Sequence, residues 1–172
     1  MKLEQLFEQQ DVEYELYVDL DGVMADLESY IEKVLDRKLV TQSNGTWKDD
    51  KEIWEELRAK AEPQFDKLEQ LPDAMELWEY IRKYNPNILS ATGIPVERNS
   101  EMKRKWVKAN LPDHNKILLV KTSKLKAQHA KPNRILIDDR TKSTVPWSEA
   151  GGIAIRHKDA KSTIARLKEL GL

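Results

Sequence analysis

The clearest fold signal in the sequence lies at residues 14–23, which read Tyr-Glu-Leu-Tyr-Val-Asp-Leu-Asp-Gly-Val. The run Tyr14–Val18 is short and mostly apolar, which is typical of a strand buried inside a parallel sheet. Two carboxylates, Asp19 and Asp21, follow directly. Ligands of open parallel sheets bind beyond the carboxyl ends of the strands. The stretch therefore predicts both the sheet and the place of its site.

Four further apolar runs read as strands, at Asn87–Ala91, Lys116–Val120, Arg134–Ile137 and Gly152–Arg156. Four of the five runs are continuous rather than alternating, as expected where helices cover both faces of a sheet. Helical spacing of apolar residues separates the runs, over Ala74–Tyr84, Val96–Asn110 and Ala160–Leu170. This alternation predicts an α/β fold with a Rossmann-like, doubly wound parallel sheet and right-handed crossovers.

The interval between the first two strands breaks the alternation, because its roughly 70 residues exceed what a crossover needs. It holds three helical patterns, at Leu27–Leu39, Asp49–Ala61 and Gln64–Glu69. We interpret residues 27–71 as a small helical insertion seated over the strand ends. Residues 1–26 and 72–172 then form the α/β core domain.

The chain has 172 residues, of which 40% are hydrophobic, and this suffices for one domain with an ordinary core. The absence of cysteine excludes disulfides, thiolate nucleophiles and cysteine metal sites, and favours a reducing cytoplasm. No apolar run approaches the roughly 18 residues of a membrane span, and the start MKLEQLFEQQ is too acidic for a signal peptide. We therefore expect a cytoplasmic protein with no membrane partner.

The formal net charge of −1 hides an uneven distribution. Residues 1–100 carry 12 lysine and arginine against 23 aspartate and glutamate residues, whereas residues 101–172 carry 17 against 7. Such asymmetry arises when two sets of solvated helix faces attract each other, or when the basic part binds an anionic partner. The composition leaves both interpretations open.

Four aspartates follow two of the predicted strands: Asp19, Asp21, Asp138 and Asp139. Converging carboxylates repel one another in a cleft of low dielectric unless a cation neutralises them. A ligand set of oxygens alone, without cysteine or paired histidine, favours Mg²⁺, which also binds water and substrate phosphate oxygens. The cluster therefore predicts a magnesium site and phosphate chemistry.

The ends of the second and third strands supply groups that suit a phosphate. Ser90-Ala91-Thr92-Gly93 closes the second strand, and a lysine-rich segment, residues 121–126, follows the third. Hydroxyl and ammonium groups can hold a phosphate and offset charge that develops during reaction. An aspartate can attack phosphorus as a nucleophile, and a second aspartate two residues later can act as acid and base.

As a set, these motifs resemble those of the haloacid dehalogenase superfamily of phosphatases. The stretch YVDLDGV is similar to the first family motif, a strand that ends in DxDG[TV]. NILSATG resembles the second motif, a strand that ends in Ser or Thr, while a lysine ahead of the fourth strand and RILIDDR resemble the third and fourth. The set spans residues 14–140 in the family's order. It implies a core of the haloacid dehalogenase type that hydrolyses phosphomonoesters through an aspartyl-phosphate.

The resemblance implies a role for each of the four aspartates. Asp19 would be the nucleophile and a Mg²⁺ ligand. Asp21 would be the general acid and base, and would bind the ion through its backbone carbonyl. Asp138 would complete the metal site, with Asp139 either a ligand itself or the partner of a bound water.

The resemblance also implies which groups contact the phosphate. Ser90, with the adjacent Ala91, would bind the phosphoryl group. The phosphate-contacting lysine would be Lys126, which stands 12 residues before Asp138, with Lys124 as the second candidate.

A second resemblance concerns the substrate. DGVMADLE, LEQLPDAMELWEYI, ILIDDR and WSEAGGIAI resemble the 5'(3')-deoxyribonucleotidase group and its bacterial and phage relatives, which hydrolyse nucleoside monophosphates. In that group an insertion after the first motif is a C1-type cap that selects the substrate. The better-known nucleotidases stack an aromatic on the base where this chain has Leu27, so the stacking side chain here would be Trp47, Trp54 or Phe65.

The sequence thus predicts a Mg²⁺-dependent phosphomonoesterase that acts on deoxy- or ribonucleoside monophosphates. Two alternatives stay open. The basic C-terminal segment also suits a phosphatase that acts on the 3' or 5' ends of nucleic acids. A binding or regulatory module with little turnover would keep the same fold, although the intact pair Asp19 and Asp21 argues against it.

Overall fold

A computed structural model describes residues 12–172, so residues 1–11 of the predicted core domain lie outside the described part of the chain. Within it, five strands form one sheet: β1 (Glu15–Val18), β2 (Asn87–Ala91), β3 (Ile117–Val120), β4 (Arg134–Asp138) and β5 (Ile153–Arg156). All neighbouring strands are parallel, in the order β3-β2-β1-β4-β5. The predicted strands and the Rossmann-like α/β fold are confirmed, with strand bounds within one residue of the prediction.

Six α-helices accompany the strands in the described residues: α1 (Leu27–Leu35), α2 (Asp50–Lys60), α3 (Ala74–Ile81), α4 (Val96–Asn110), α5 (Thr141–Glu149) and α6 (Ala160–Glu169). Short 3-10 segments occupy Phe65–Lys67, Arg82–Tyr84 and Ser123–His129. The prediction that α1 extends to Leu39 was wrong, because the helix ends at Leu35. Asp36 adopts a left-handed backbone with φ of 52°, and its N–H donates to the carbonyl of Glu32. The prediction also missed α5, which contains Pro146.

None of the helices within residues 12–172 combines the length and the apolar composition that crossing a membrane requires.

The first strand occupies the middle of the sheet. β1 pairs with β2 on one side and with β4 on the other, so Val18 is the partner of both Ile88 and Ile137. After β3 the chain returns across β1 to form β4. A reversal of this kind leaves a crevice at the carboxyl ends of the strands, where open α/β sheets bind ligands. The residues that follow β1 and β4 are thereby brought side by side.

Alternate side chains of the central strand serve the two faces of the sheet. Leu16 and Val18 belong to a large core with α3, α4 and α6, whereas Tyr17 belongs to a second core with α5. Trp147 of α5 is fully buried there, with its ring centroid 5.4 Å from that of Tyr17. Helices therefore cover both faces, which explains the continuously apolar strand sequences.

Residues 27–71, which the sequence analysis interprets as an insertion, contact the segment after β4 through the loop between α1 and α2. The carbonyl oxygen of Asn44 accepts hydrogen bonds from the backbone N–H of Thr141 at 3.0 Å and from its hydroxyl at 3.1 Å. The next residue, Gly45, has a φ of 81°, and a Cβ added there would overlap with the carbonyl oxygen of Asp139. Glycine at this position permits the insertion to touch the segment that follows β4.

Gly45→Ala is expected to lower the free energy of unfolding by about 2–4 kcal/mol, from the left-handed backbone and the steric overlap together. Urea unfolding measures the loss. Gly151→Ala is the matched control, because Gly151 has a φ of 92° but no atom lies within 4 Å of its added Cβ. The control should lose only the backbone part, about 1–2 kcal/mol. Equal losses in the two variants would contradict the close approach.

Candidate active site

Three aspartates meet at the carboxyl ends of the neighbouring strands β1 and β4. Asp19 follows β1, Asp138 is the last residue of β4, and Asp139 comes next. One carboxylate oxygen of each lies within 4.8 Å of those of the other two. The sheet itself determines this meeting, because the N–H of Asp19 donates to the carbonyl of Ile137 at 3.0 Å and continues the hydrogen bonding between the two strands.

The turn after β1 makes room for the third carboxylate. Gly22 has a φ of 81°, and a Cβ there would overlap with the carboxylate of Asp139. Hydrogen bonds from the N–H groups of Val23 and Met24 to the carbonyl of Leu20, at 3.1 and 2.8 Å, close the turn. Gly22, which directly follows Asp21, is therefore required for the approach of Asp139.

A buried lysine stands between two of the aspartates. Lys126, in the 3-10 segment Ser123–His129, is 1% exposed. Its Nζ lies 2.6 Å from Oδ2 of Asp138 and 2.9 Å from Oδ1 of Asp19. Lys124 is exposed and contacts neither carboxylate. Of the two lysines that the sequence offered, Lys126 is the one that belongs to the aspartate cluster.

Burial and charge act differently on the three aspartates. Burial opposes ionisation of Asp19, but Lys126 and Lys103 outweigh it and hold the pKa of Asp19 below its usual value. Burial raises the pKa of Asp138, although Lys126 opposes the rise. The pKa of Asp139 is raised well above its usual value by burial and by the charges of Asp138 and Asp19. Asp19 is therefore the carboxylate that is held ionised.

The cluster carries more negative charge than Lys126 neutralises. Oδ1 of Asp139 is buried and has no hydrogen-bond partner among residues 12–172. Closely spaced carboxylate oxygens, one of them without a partner, are a donor set for a hard divalent cation. The side chains present therefore fit a metal ion, with Asp19, Asp138 and Asp139 as its ligands.

A second buried lysine, which the sequence analysis missed, links the ends of β1 and β2. Lys103 of α4 is 1% exposed. Its Nζ contacts Oδ2 of Asp21 and donates to Oγ of Ser90 at 3.1 Å. It also lies 4.6 Å from the ring centroid of Phe65. Lys103 therefore fixes the Asp21 carboxylate relative to the Ser90 hydroxyl.

The helix pattern contained a signal for this lysine. The buried face of α4 consists of Asn99, Met102, Lys103, Trp106 and Val107, at the spacing of one helix face. A charged side chain on an apolar face needs a buried partner of opposite charge. The spacing could have singled out Lys103, but the identity of its partner depends on how α4 packs against the sheet.

A cavity of about 380 Å³ opens at the strand ends. Six of the predicted site residues line it from the strand ends: Asp19, Asp21, Ser90, Ala91, Lys124 and Lys126. Two predicted metal ligands, Asp138 and Asp139, do not line it. Asn99 does, and its buried Oδ1 has no hydrogen-bond partner in the described part of the chain, so it is a further polar group that the sequence analysis missed.

The insertion supplies an apolar wall of the same cavity. Leu27, Trp54 and Phe65 line it, as three of the four predicted substrate contacts. The fourth, Trp47, does not line it: the side chain is buried, and its indole N–H donates to Glu28 at 2.9 Å. The Trp47 ring packs against Trp54 with a centroid distance of 6.0 Å. Trp47 therefore packs behind the wall and is not among the residues that line the cavity.

No protein-family model matches the sequence, and no curated protein has significant similarity to it. The chain is similar in structure to a hydrolase from Streptococcus pneumoniae TIGR4, with a TM-score of 0.53 and 13% identity, over 91% of this chain and 99% of that one. A hydrolase from Pseudomonas syringae matches over the same shares with a TM-score of 0.48 and 16% identity. The first similarity supports the Rossmann-like α/β fold.

Proposed function

We propose that the protein is a metal-dependent phosphomonoesterase that works through an aspartyl-phosphate intermediate. Asp19 carries the proposal, because its carboxylate has a lowered pKa, lies 2.9 Å from Lys126 and lines a cavity. An ionised carboxylate that a substrate can reach is suited to attack phosphorus. The resemblance of the four motifs to those of haloacid dehalogenase superfamily phosphatases supports the same chemistry.

In the proposed reaction, a carboxylate oxygen of Asp19 bonds to phosphorus while the bond between phosphorus and the ester oxygen breaks. Asp21, as the general acid, gives a proton to the departing alkoxide. The Asp21 carboxylate then takes a proton from water, whose oxygen attacks the phosphorus of the aspartyl-phosphate, restores Asp19 and releases inorganic phosphate. The Ser90 hydroxyl and the Lys126 ammonium bind the phosphoryl oxygens throughout.

Mg²⁺ is the ion that we propose for Asp19, Asp138 and Asp139, because it prefers hard oxygen ligands and substrate phosphates. When bound, it would offset the negative charge of the phosphoryl oxygens. The backbone carbonyl of Asp21 is the additional ligand that the family resemblance implies.

Excess EDTA is expected to lower phosphate release at least about 100-fold, with recovery when Mg²⁺ exceeds the chelator. A second measurement does not depend on turnover. Mg²⁺ should raise the melting temperature of the wild type, because a ligand that binds only the folded state stabilises it. Asp139→Asn should show a smaller rise. Full activity in EDTA would rule out the metal.

Within this class we propose a 5'(3')-nucleotidase that acts on deoxy- or ribonucleoside monophosphates. The cavity volume of about 380 Å³ suits a small ligand, and Trp54 and Phe65 offer aromatic faces for a base. A phosphate-release screen with Mg²⁺ tests this against sugar phosphates and an aryl phosphate. Comparable kcat/KM values for sugar phosphates and nucleotides would reject the proposed nucleotide specificity but not the proposed phosphatase activity.

Lys103→Met is expected to lower kcat/KM about 100-fold, because it removes a preorganised cation that holds the Asp21 carboxylate and the Ser90 hydroxyl. Methionine retains most of the volume, so the variant should fold. Lys105→Met on the same helix is the matched control, since Lys105 is exposed and pairs with the exposed Glu101 at 2.7 Å. Steady-state kinetics on both variants test the prediction. Unchanged kinetics for Lys103→Met would show that its contacts are not needed for turnover.

A further inference from the structure

The cavity is lined by more positive charge than one phosphate requires. Four basic side chains, here called the basic rim, line it in addition to Lys126: Arg58 of α2, Lys121 and Lys124 after β3, and Lys142 of α5. Within residues 12–172, none of the four has a carboxylate oxygen within 4.0 Å. Arg140 also lines the cavity, but it is paired with Asp50 at 3.7 Å.

Three of the four aspartates of the site have a lysine partner. Asp21 contacts Lys103, while Asp19 and Asp138 share Lys126. A divalent cation at the aspartate cluster would offset the carboxylate charge that the lysines leave, and one bound phosphate, with a charge of about −2, would take up about two of the four cations of the basic rim. The other cations of the rim are then a surplus, and a surplus of cations around a cavity favours a further anion.

Three members of the basic rim come from neighbouring elements. The 3-10 segment Ser123–His129 carries Lys124 and comes two residues after Lys121, and it packs against α5, which carries Lys142. Burial and the charge of Arg140 lower the pKa of Lys142, although Asp50, Asp138 and Asp139 oppose this. The fourth member, Arg58, stands four residues after Trp54 and therefore on the same face of α2.

Resting on the proposed phosphatase function, we infer that the substrate carries a second phosphate group and that the basic rim binds it. Lysine and arginine are the side chains that recognise phosphate, as point charges and as planar donors respectively. The cavity of about 380 Å³ has room for one nucleotide-sized ligand. The substrate class is therefore a nucleoside bisphosphate, and the phosphorylated end of a strand is the other source of the same groups.

Calorimetry on the Asp19→Asn protein with Mg²⁺ tests the inference, because this variant binds without consuming the ligand. The probes are thymidine 5'-monophosphate and thymidine 3',5'-bisphosphate. The bisphosphate should bind at least about 10-fold more tightly, since one further charge-assisted contact contributes about that factor. Adding Lys124→Gln and Lys142→Gln should reduce the ratio to about 2 or less. Equal affinities, no binding of either probe, or a ratio that survives these substitutions would overturn the inference.

A matched control separates local contacts from overall charge. Lys131→Gln with Lys161→Gln removes the same charge from two exposed residues that do not line the cavity. This control should keep the wild-type ratio of affinities. A ratio that falls equally in the control and in the rim variant would overturn the inference, because it would reflect long-range attraction alone.

A 5'-phosphorylated hexathymidylate distinguishes the two sources of a second phosphate. If the bisphosphate binds more tightly than the oligonucleotide at both about 50 and 200 mM salt, the result supports the small ligand. Tighter binding of the oligonucleotide, with a steep loss on adding salt, overturns the small ligand and assigns the basic rim to a strand end. Phosphate release from the monophosphate by the wild type, without any preference for the bisphosphate, would refute the inference and leave the proposed function intact.

Discussion

The Asp19→Asn variant is expected to release phosphate from no monoester above background, a loss of at least about 10⁴-fold. The amide oxygen is a poor nucleophile and cannot form the acyl phosphate. The side chain keeps its shape, and Lys126 retains Asp138 at 2.6 Å, so the variant should remain folded. Phosphate release from an aryl phosphate measures the loss, and urea unfolding measures the stability.

The chemistry can also be followed on the protein. Acid quenching of the wild type with substrate labelled at phosphorus should trap label on the chain, and Asp19→Asn should trap none. Asp113→Asn is the control, because Asp113 is exposed, lies outside the cavity and is 3.8 Å from Arg82. Hydrolysis by Asp19→Asn at the wild-type rate would remove Asp19 from the reaction and with it the proposed function.

The sheet was predictable because burial on both faces leaves a direct mark on the strand sequences. The helix α5 was not, because its apolar positions are few and Pro146 interrupts the pattern. Its decisive side chain is Trp147, which fills the face opposite the main core against Tyr17. That contact joins residues far apart in the chain, so local periodicity does not contain it.

The candidate site was predictable to the same extent. The aspartates at the ends of β1 and β4 were found because parallel strands bring their carboxyl ends to one edge. The resemblance favoured Lys126 over Lys124 by its distance from Asp138, but both lie in one short basic segment, and the structure shows that Lys126 is the one that turns inward. Lys103 was missed because its partner Asp21 is set by the way α4 packs against the sheet, which helical spacing does not contain.

Lys126→Met is expected to lower the free energy of unfolding by about 3–5 kcal/mol, because it leaves Asp19 and Asp138 buried without their shared cation. Phosphate release should be lost as well. Urea unfolding in EDTA measures the stability. Lys124→Met is the control two residues away, and its exposed side chain predicts a change within about 0.5 kcal/mol.

The double variant Lys126→Met/Asp138→Asn tests whether unpaired charge causes this loss, because removing both partners of a buried pair costs less than removing one. The double variant should therefore be more stable than Lys126→Met alone.

The stability lost in Lys126→Met should depend on pH, and the sign of this dependence follows from Asp138. Burial raises the pKa of Asp138 even beside Lys126, and without the lysine the rise is larger. A folded-state pKa above the unfolded value of about 3.9 makes the folded state bind protons more readily, so acidification stabilises it relative to the unfolded chain. The gap in stability between wild type and Lys126→Met should narrow as the pH falls from 7 towards about 4, and a gap that does not change with pH would show that Lys126 stabilises the fold by packing and not by charge.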